Sequence, residues 1–187
     1  MATFTVVLDA NVLYSFTVRD AVMWLSLTDM FRVRWSEHIH REWIGALERK
    51  GHDRAKLERI RAQMELHHTD ALVTHYESLI QSVSLPDPDD RHVVAAAIRA
   101  NADAIVTFNT RHFPRDTLAN YEVEVLHPDD FIRYQIELSP EPACWAFSRM
   151  RTTKSRPPMD VQDLLASLQR SALPQTVRLL EQYRSWI

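Results

Sequence analysis

Short apolar runs rich in β-branched residues recur along this chain, and a segment of helical pattern follows each one. Phe4-Thr5-Val6-Val7-Leu8 and Ala104-Ile105-Val106-Thr107 are apolar at consecutive positions, as expected of strands buried on both faces. Phe31-Arg32-Val33-Arg34-Trp35 alternates apolar and basic residues and reads as a half-exposed strand. Ala71-Leu72-Val73 and Glu122 to Leu126 read as shorter ones. Strands separated by helices predict an α/β domain, with a central, mainly parallel sheet between layers of helix. The helical segments run from Asn11 to Asp29, as two helices meeting near Arg19-Asp20, and from a Ser36 cap to Arg49, closed by Gly51. Others run from an Asp53 cap to His67, from Tyr76 to Ser82, from an Asp89 cap to Asn101, from Pro114 to Ala119 and from Pro128 to Glu137. After Leu138 only helices are predicted. One starts at Ser139-Pro140, a break falls at Ser155-Arg156-Pro157-Pro158, Asp160 caps the next, and a last one runs from Pro174 towards Tyr183. The expected division is an α/β domain over 1–138 and a helical extension over 139–187.

Composition removes several chemistries. Two glycines, Gly45 and Gly51, leave no glycine-rich loop to cradle a phosphate. A single cysteine, Cys144, leaves no disulfide framework or cysteine zinc site and suits a reducing cytoplasm. A net charge of −3 excludes a generally basic coat for nucleic acid, though not a local basic groove. No apolar run approaches the roughly 20 residues of a membrane span. Met1-Ala2-Thr3-Phe4 has no basic region, so neither membrane nor signal peptide is expected. Residues 1–140 carry 15 basic and 21 acidic side chains, whereas 141–187 carry 7 and 4. The acidic excess belongs to the α/β part.

That excess gathers where a parallel sheet builds its sites, at the carboxyl ends of strands. Asp9 ends the first strand, Asp87-Pro88-Asp89-Asp90 precedes an Ala-rich helix, and Thr107 to Asn109 ends a neighbouring strand. Glu42 borders the packing stripe Ile39, Trp43 and Leu47 of its helix. Each alone has a plain reading: a cap, a dipole partner or an outward charge. Together they form a set of carboxylates that repel one another without a counter-charge. Hard oxygen ligands favour Mg²⁺ or Mn²⁺ in that role.

The motifs Val7-Leu8-Asp9-Ala10-Asn11, Ser36 to Glu42, Leu85 to Ala97 and Ile105 to Pro114 resemble those of the PIN-domain ribonucleases, in the toxin branch typified by VapC proteins. The resemblance covers roughly residues 3–136, and the tail resembles the helical extension of a subset of that branch. It implies a PIN-like three-layer fold and a Mg²⁺- or Mn²⁺-dependent endoribonuclease leaving 5′-phosphate and 3′-hydroxyl ends. Asp9, Glu42 and Asp90 match the family's first three acids, as catalytic residues and metal ligands. Asn11, Asp87, Thr107, Asn109 and His112 take supporting places, with Asp89 as a cap, and Arg91 and Arg111 flank the motifs as contacts for RNA. Asn109 stands where many members have a fourth aspartate, and His112 where a further acid often precedes Phe113. The fourth-acid region therefore has no carboxylate, and one resident metal is expected. The partners implied are RNA and a small antitoxin, as in a type II toxin–antitoxin pair, with an antitoxin groove and a homodimer surface near the first 30 residues.

Two other readings compete. A PIN-like protein weakened at the fourth-acid region would bind RNA or protein as a regulator. An aspartyl phosphatase of the haloacid dehalogenase kind also starts from a strand-end aspartate, but it needs an acid where this chain has Asn11. His67, His68, His75 and His127 read as surface or interface residues. Trp24, Trp35, Trp43, Trp145 and Trp186 read as core or interface anchors. Val12, Leu13, Val22, Met23 and Leu25 exceed one narrow stripe, and Leu164, Leu165, Leu168, Val177 and Leu180 mark a small helical bundle.

Overall fold

The computed structural model describes residues 3–155 and 157–187; Met1, Ala2 and Arg156, the last within the predicted break, lie outside the described residues. The order is β1 (Thr5–Leu8), α1 (Ala10–Tyr14), α2 (Phe16–Ser26), β2 (Arg32–Ser36), α3 (Glu37–Arg49), α4 (Arg54–His67), β3 (Leu72–Val73) and α5 (Arg91–Ala100). There follow β4 (Ala104–Val106), α6 (Arg115–Ala119), β5 (Glu124–Leu126), α7 (Pro128–Leu138), α8 (Pro140–Thr152), α9 (Val161–Arg170) and α10 (Pro174–Leu180).

The five strands form one wholly parallel sheet in the order β3-β2-β1-β4-β5. Successive residues of a strand face opposite sides, and Val6, Val7 and Leu8 are all fully buried, so both faces of the sheet are covered. The chain leaves β1 towards β2 on one side and later returns to β4 on the other. The β1–β4 junction is therefore the point where strand order reverses, which in open α/β sheets opens a crevice at the strands' carboxyl ends.

Residues up to Tyr14 and Arg32–His127 make one compact unit; Ser15–Phe31 and Pro128–Ile187 make a second, all-helical one. In the first unit, α5 lies on β1, β2 and β4, and α3 packs on β2 and α1. In the second, Phe31 meets Phe131 edge-on at 4.8 Å and Trp24 meets Trp145 at 6.3 Å. The buried Asp129 of α7 accepts from the Gln175 and Thr176 N–H groups at 2.9 and 2.8 Å, capping α10.

Several boundaries differ from the sequence pattern for local reasons. The expected break near Arg19-Asp20 falls at Ser15, whose hydroxyl accepts from Val18 N–H. Val12, Leu13, Val22 and Leu25, read as surplus, are fully buried, the first two in the first unit and the others in the second. Asp89 does not cap the Ala-rich helix: α5 starts after Asp90 with no side-chain cap, and Asp87 caps the preceding 3-10 turn Pro88–Asp90, accepting from Asp89 N–H at 3.0 Å. Trp35 and Trp43 are core residues, whereas Trp145 and Trp186 are about half exposed.

On α3, the wholly buried His40 accepts at Nδ1 from Trp43 Nε1–H (3.0 Å) and packs edge-on against Trp35. Burial, reinforced by Arg61, lowers its pKa from 6.5 to about 4. Glu65, at 3.5 Å, therefore faces an uncharged ring at neutral pH. A histidine that resists protonation only when folded stabilises the fold above pH 6.5, and that stability drains away as pH falls towards 4. The depression to about 4 corresponds to roughly 3 kcal/mol. Urea titrations of wild type between pH 7 and 4 should show this loss. His40→Leu should be less stable at pH 7, having orphaned the Trp43 N–H, yet should lose less between pH 6.5 and 4.

Candidate metal centre

Strand register brings the first two site residues together. Leu8 pairs with Val106, so Asp9 and Thr107 leave β1 and β4 side by side. The buried Thr107 hydroxyl donates to Asp9 Oδ2 at 2.6 Å and accepts from Asn11 Nδ2 (2.9 Å) and Asn109 N–H (3.0 Å). Asn11 also donates to Asp9 Oδ2 at 2.6 Å, and its Oδ1 accepts from Phe108 N–H at 3.0 Å. Asp9 Oδ1 accepts from Ala10 N–H at 2.6 Å. Oδ2 is thereby held by Thr107 and Asn11, both expected in supporting places, and Oδ1 by the backbone of Ala10, which was not.

Asp9 opens onto a cleft of about 550 Å³, whose lining also includes Asn11, Glu42, Asp90 and Asn109. Glu42 reaches it from α3 and Asp90 from the start of α5. Burial pushes the Asp9 carboxyl above its usual pKa; Thr107 and Ala10 pull it down, while Asp90 and Glu42 push it further up. Burial and the two neighbouring carboxylates disfavour the Asp9 charge, and the three converging acids offer only oxygen, so these side chains fit a hard divalent cation.

Asp87 and His112 stand at Asp90 without lining this cleft. His112 Nδ1 lies 2.7 Å from Asp90 Oδ2 and 4.0 Å from Asp87 Oδ2. One ligand atom from each of the three falls within 4.8 Å of the others, close enough to share a metal ion.

Residues 5–111, which contain all these side chains except His112, match the PIN domain family, and residues 128–182 match the family described as the VapC50 C-terminal domain. The chain belongs to the PIN-domain family. Over 100 residues it is 39% identical to a protein of Mycobacterium tuberculosis (strain ATCC 25618 / H37Rv) named "Putative ribonuclease VapC50". That match covers 54% of this chain and 59% of the relative, so the chain spans about three-fifths of the relative's length. No solved structure matches the chain. No helix among the described residues is long and apolar enough to cross a membrane.

Three features of this PIN domain escaped the sequence pattern. Arg41 and Arg49, about two helical turns apart along α3 with Gly45 midway between them, line the cleft, whereas Arg91 and Arg111 do not. His92 Nε2 lies 3.0 Å from Glu42 Oε1. The i, i+4, i+8 spacing of Arg41, Gly45 and Arg49 was the available signal, but only the rotation of α3 about its axis shows which face meets the cleft.

Thr107→Val keeps shape and burial but strips a donor from Asp9 and an acceptor from Asn109 N–H. It should cost about 1–3 kcal/mol in urea unfolding, as expected when buried partners are orphaned.

Proposed function

We propose that this protein is a divalent-metal-dependent endoribonuclease acting as the toxin of a toxin–antitoxin pair. The observation that carries the proposal is the convergence of Asp9, Glu42 and Asp90 on one cleft at the reversal point of the sheet. The PIN-domain match and the name of the mycobacterial relative support the same reading. These three carboxylates would hold Mg²⁺ or Mn²⁺. When bound there, the cation supplies Lewis acidity and offsets negative charge developing at phosphorus.

The chain's own groups account for the rest. Asp9 is immobilised by Thr107, Asn11 and Ala10, so its charge does not reorient during reaction. One cleft carboxylate takes the proton of the attacking water as a new O–P bond forms. The bond from phosphorus to the 3′ oxygen breaks, and that oxygen acquires a proton, leaving 5′-phosphate and 3′-hydroxyl ends. Arg41 and Arg49 face the cleft from α3, where backbone phosphates flanking the scissile bond would pass. A small antitoxin covering the same acidic cleft, in a reducing cytoplasm, would complete the pair.

Asn109 favours one alternative. It places a neutral amide in the cleft where many relatives carry an acid, as a regulator that binds RNA without cutting it would tolerate.

Cleavage of single-stranded RNA oligonucleotides in Mg²⁺ or Mn²⁺, with an EDTA control, separates the two. Wild type should cut, and Asp9→Ala and Asp90→Ala should fall to background while melting as cooperative folds. RNA binding without metal-dependent cutting would favour the regulator. Arg41→Ala and Arg49→Ala should each raise KM and lower the salt dependence of RNA binding by about one unit of log–log slope, with little effect on kcat.

A further inference from the structure

The three cleft carboxylates are not held alike. Asp9 is fixed by donors at both oxygens, and Asp90 by His112 at 2.7 Å. Glu42 has a longer side chain, stands on an exposed stretch of α3 and retains nearly half of its side-chain surface. Among the described residues it has one hydrogen-bond partner, Nε2 of His92, at 3.0 Å.

His92 is placed to act as a rigid donor. It is the second residue of α5, its side chain is 8% exposed, and its ring lies 5.2 Å from that of His38 at a tilt of 37°. His38 is four residues before Glu42 on α3, so two successive turns of one helix face its ring. The His38 ring is itself held by its Nδ1 hydrogen bond to the hydroxyl of the buried Tyr76. Nδ1 of His92 is buried and has no hydrogen-bond partner among the described residues. An ionised carboxylate only accepts, so the 3.0 Å contact requires the Nε2–H tautomer, with the proton directed at Glu42.

We infer that His92 is the positioning residue for Glu42, fixing the orientation of its carboxylate for divalent-cation binding. The inference rests on reading the cleft as a metal site. His92 acts through Glu42 and is not itself a ligand, because the nitrogen nearest the cleft carboxylate carries the proton.

Mn²⁺ binding to the chain, measured by isothermal titration calorimetry, tests this directly. His92→Leu should weaken Mn²⁺ about tenfold or more, the usual effect of losing a hydrogen-bond partner of a ligand. His92→Gln, whose amide N–H reaches the Nε2 position, should retain most of the affinity. In a Glu42→Ala background, His92→Leu should cause no further loss. Should His92→Leu fail to melt cooperatively, His92→Gln and His92→Asn replace it as the pair, since the shorter amide of Asn does not reach Glu42. Wild-type affinity in the donor-less variant overturns the inference alone. Equal losses in the Gln and Leu (or Asn) variants, persisting without Glu42, also overturn it and make His92 a ligand. A wild-type chain that binds no Mn²⁺ overturns the metal-site reading and the inference with it.

Discussion

The hydroxyl of Thr107 has one proton and two lone pairs, and all three are used at the junction of β1 and β4. The proton goes to a buried carboxylate, and the lone pairs receive Asn11 and the first peptide N–H of the loop after Phe108. A charged group enters a low-dielectric interior only when its oxygens are met by donors. Asp9 is met by three. Parallel pairing of β1 with β4 sets the distance, so sheet register and carboxylate orientation are one constraint. A slip of one residue would turn Asp9 or Thr107 to the opposite face.

Helix α3 extends that constraint outward. One stripe, Ile39, Trp43, Ile44 and Leu47, is buried and fixes the helix's rotation. With rotation fixed, Glu42 joins the cleft between two arginines of the same helix. A surface net negative in total can thus offer both a cation-binding centre and a cationic border. Chain-wide charge is blind to this separation, which occurs over a few ångströms.

The strands were legible because runs such as Val6-Val7-Leu8 and Ala104-Ile105-Val106 leave no exposed face, and the caps at Ser36, Asp53 and Asp160 because each hydroxyl or carboxylate precedes a helical pattern. Asp9, Glu42 and Asp90 were legible as a spaced set of acids, and the cleft contains all three. What stayed hidden depends on side-chain direction between elements remote in sequence. His92 and Glu42 are fifty residues apart, and nothing in either segment shows that they meet. The choice of Asp87 over Asp89 as cap depends on backbone geometry at Pro88. The division into units was hidden too, because the pattern of α2 shows an amphipathic helix without showing what it packs against.

Helix α2 packs on α8 and α9, within a unit whose remaining residues begin at Pro128. During synthesis, α2 leaves the ribosome roughly a hundred residues before those partners exist. Its apolar face, with Val18, Val22 and Leu25, must stay uncovered while the intervening sheet is completed. The second unit is therefore a non-local closure, slow to form and exposed to misassociation until the final helices emerge. For a protein of this architecture the interval before closure is a period of vulnerability, and the last fifty or so residues determine when it ends.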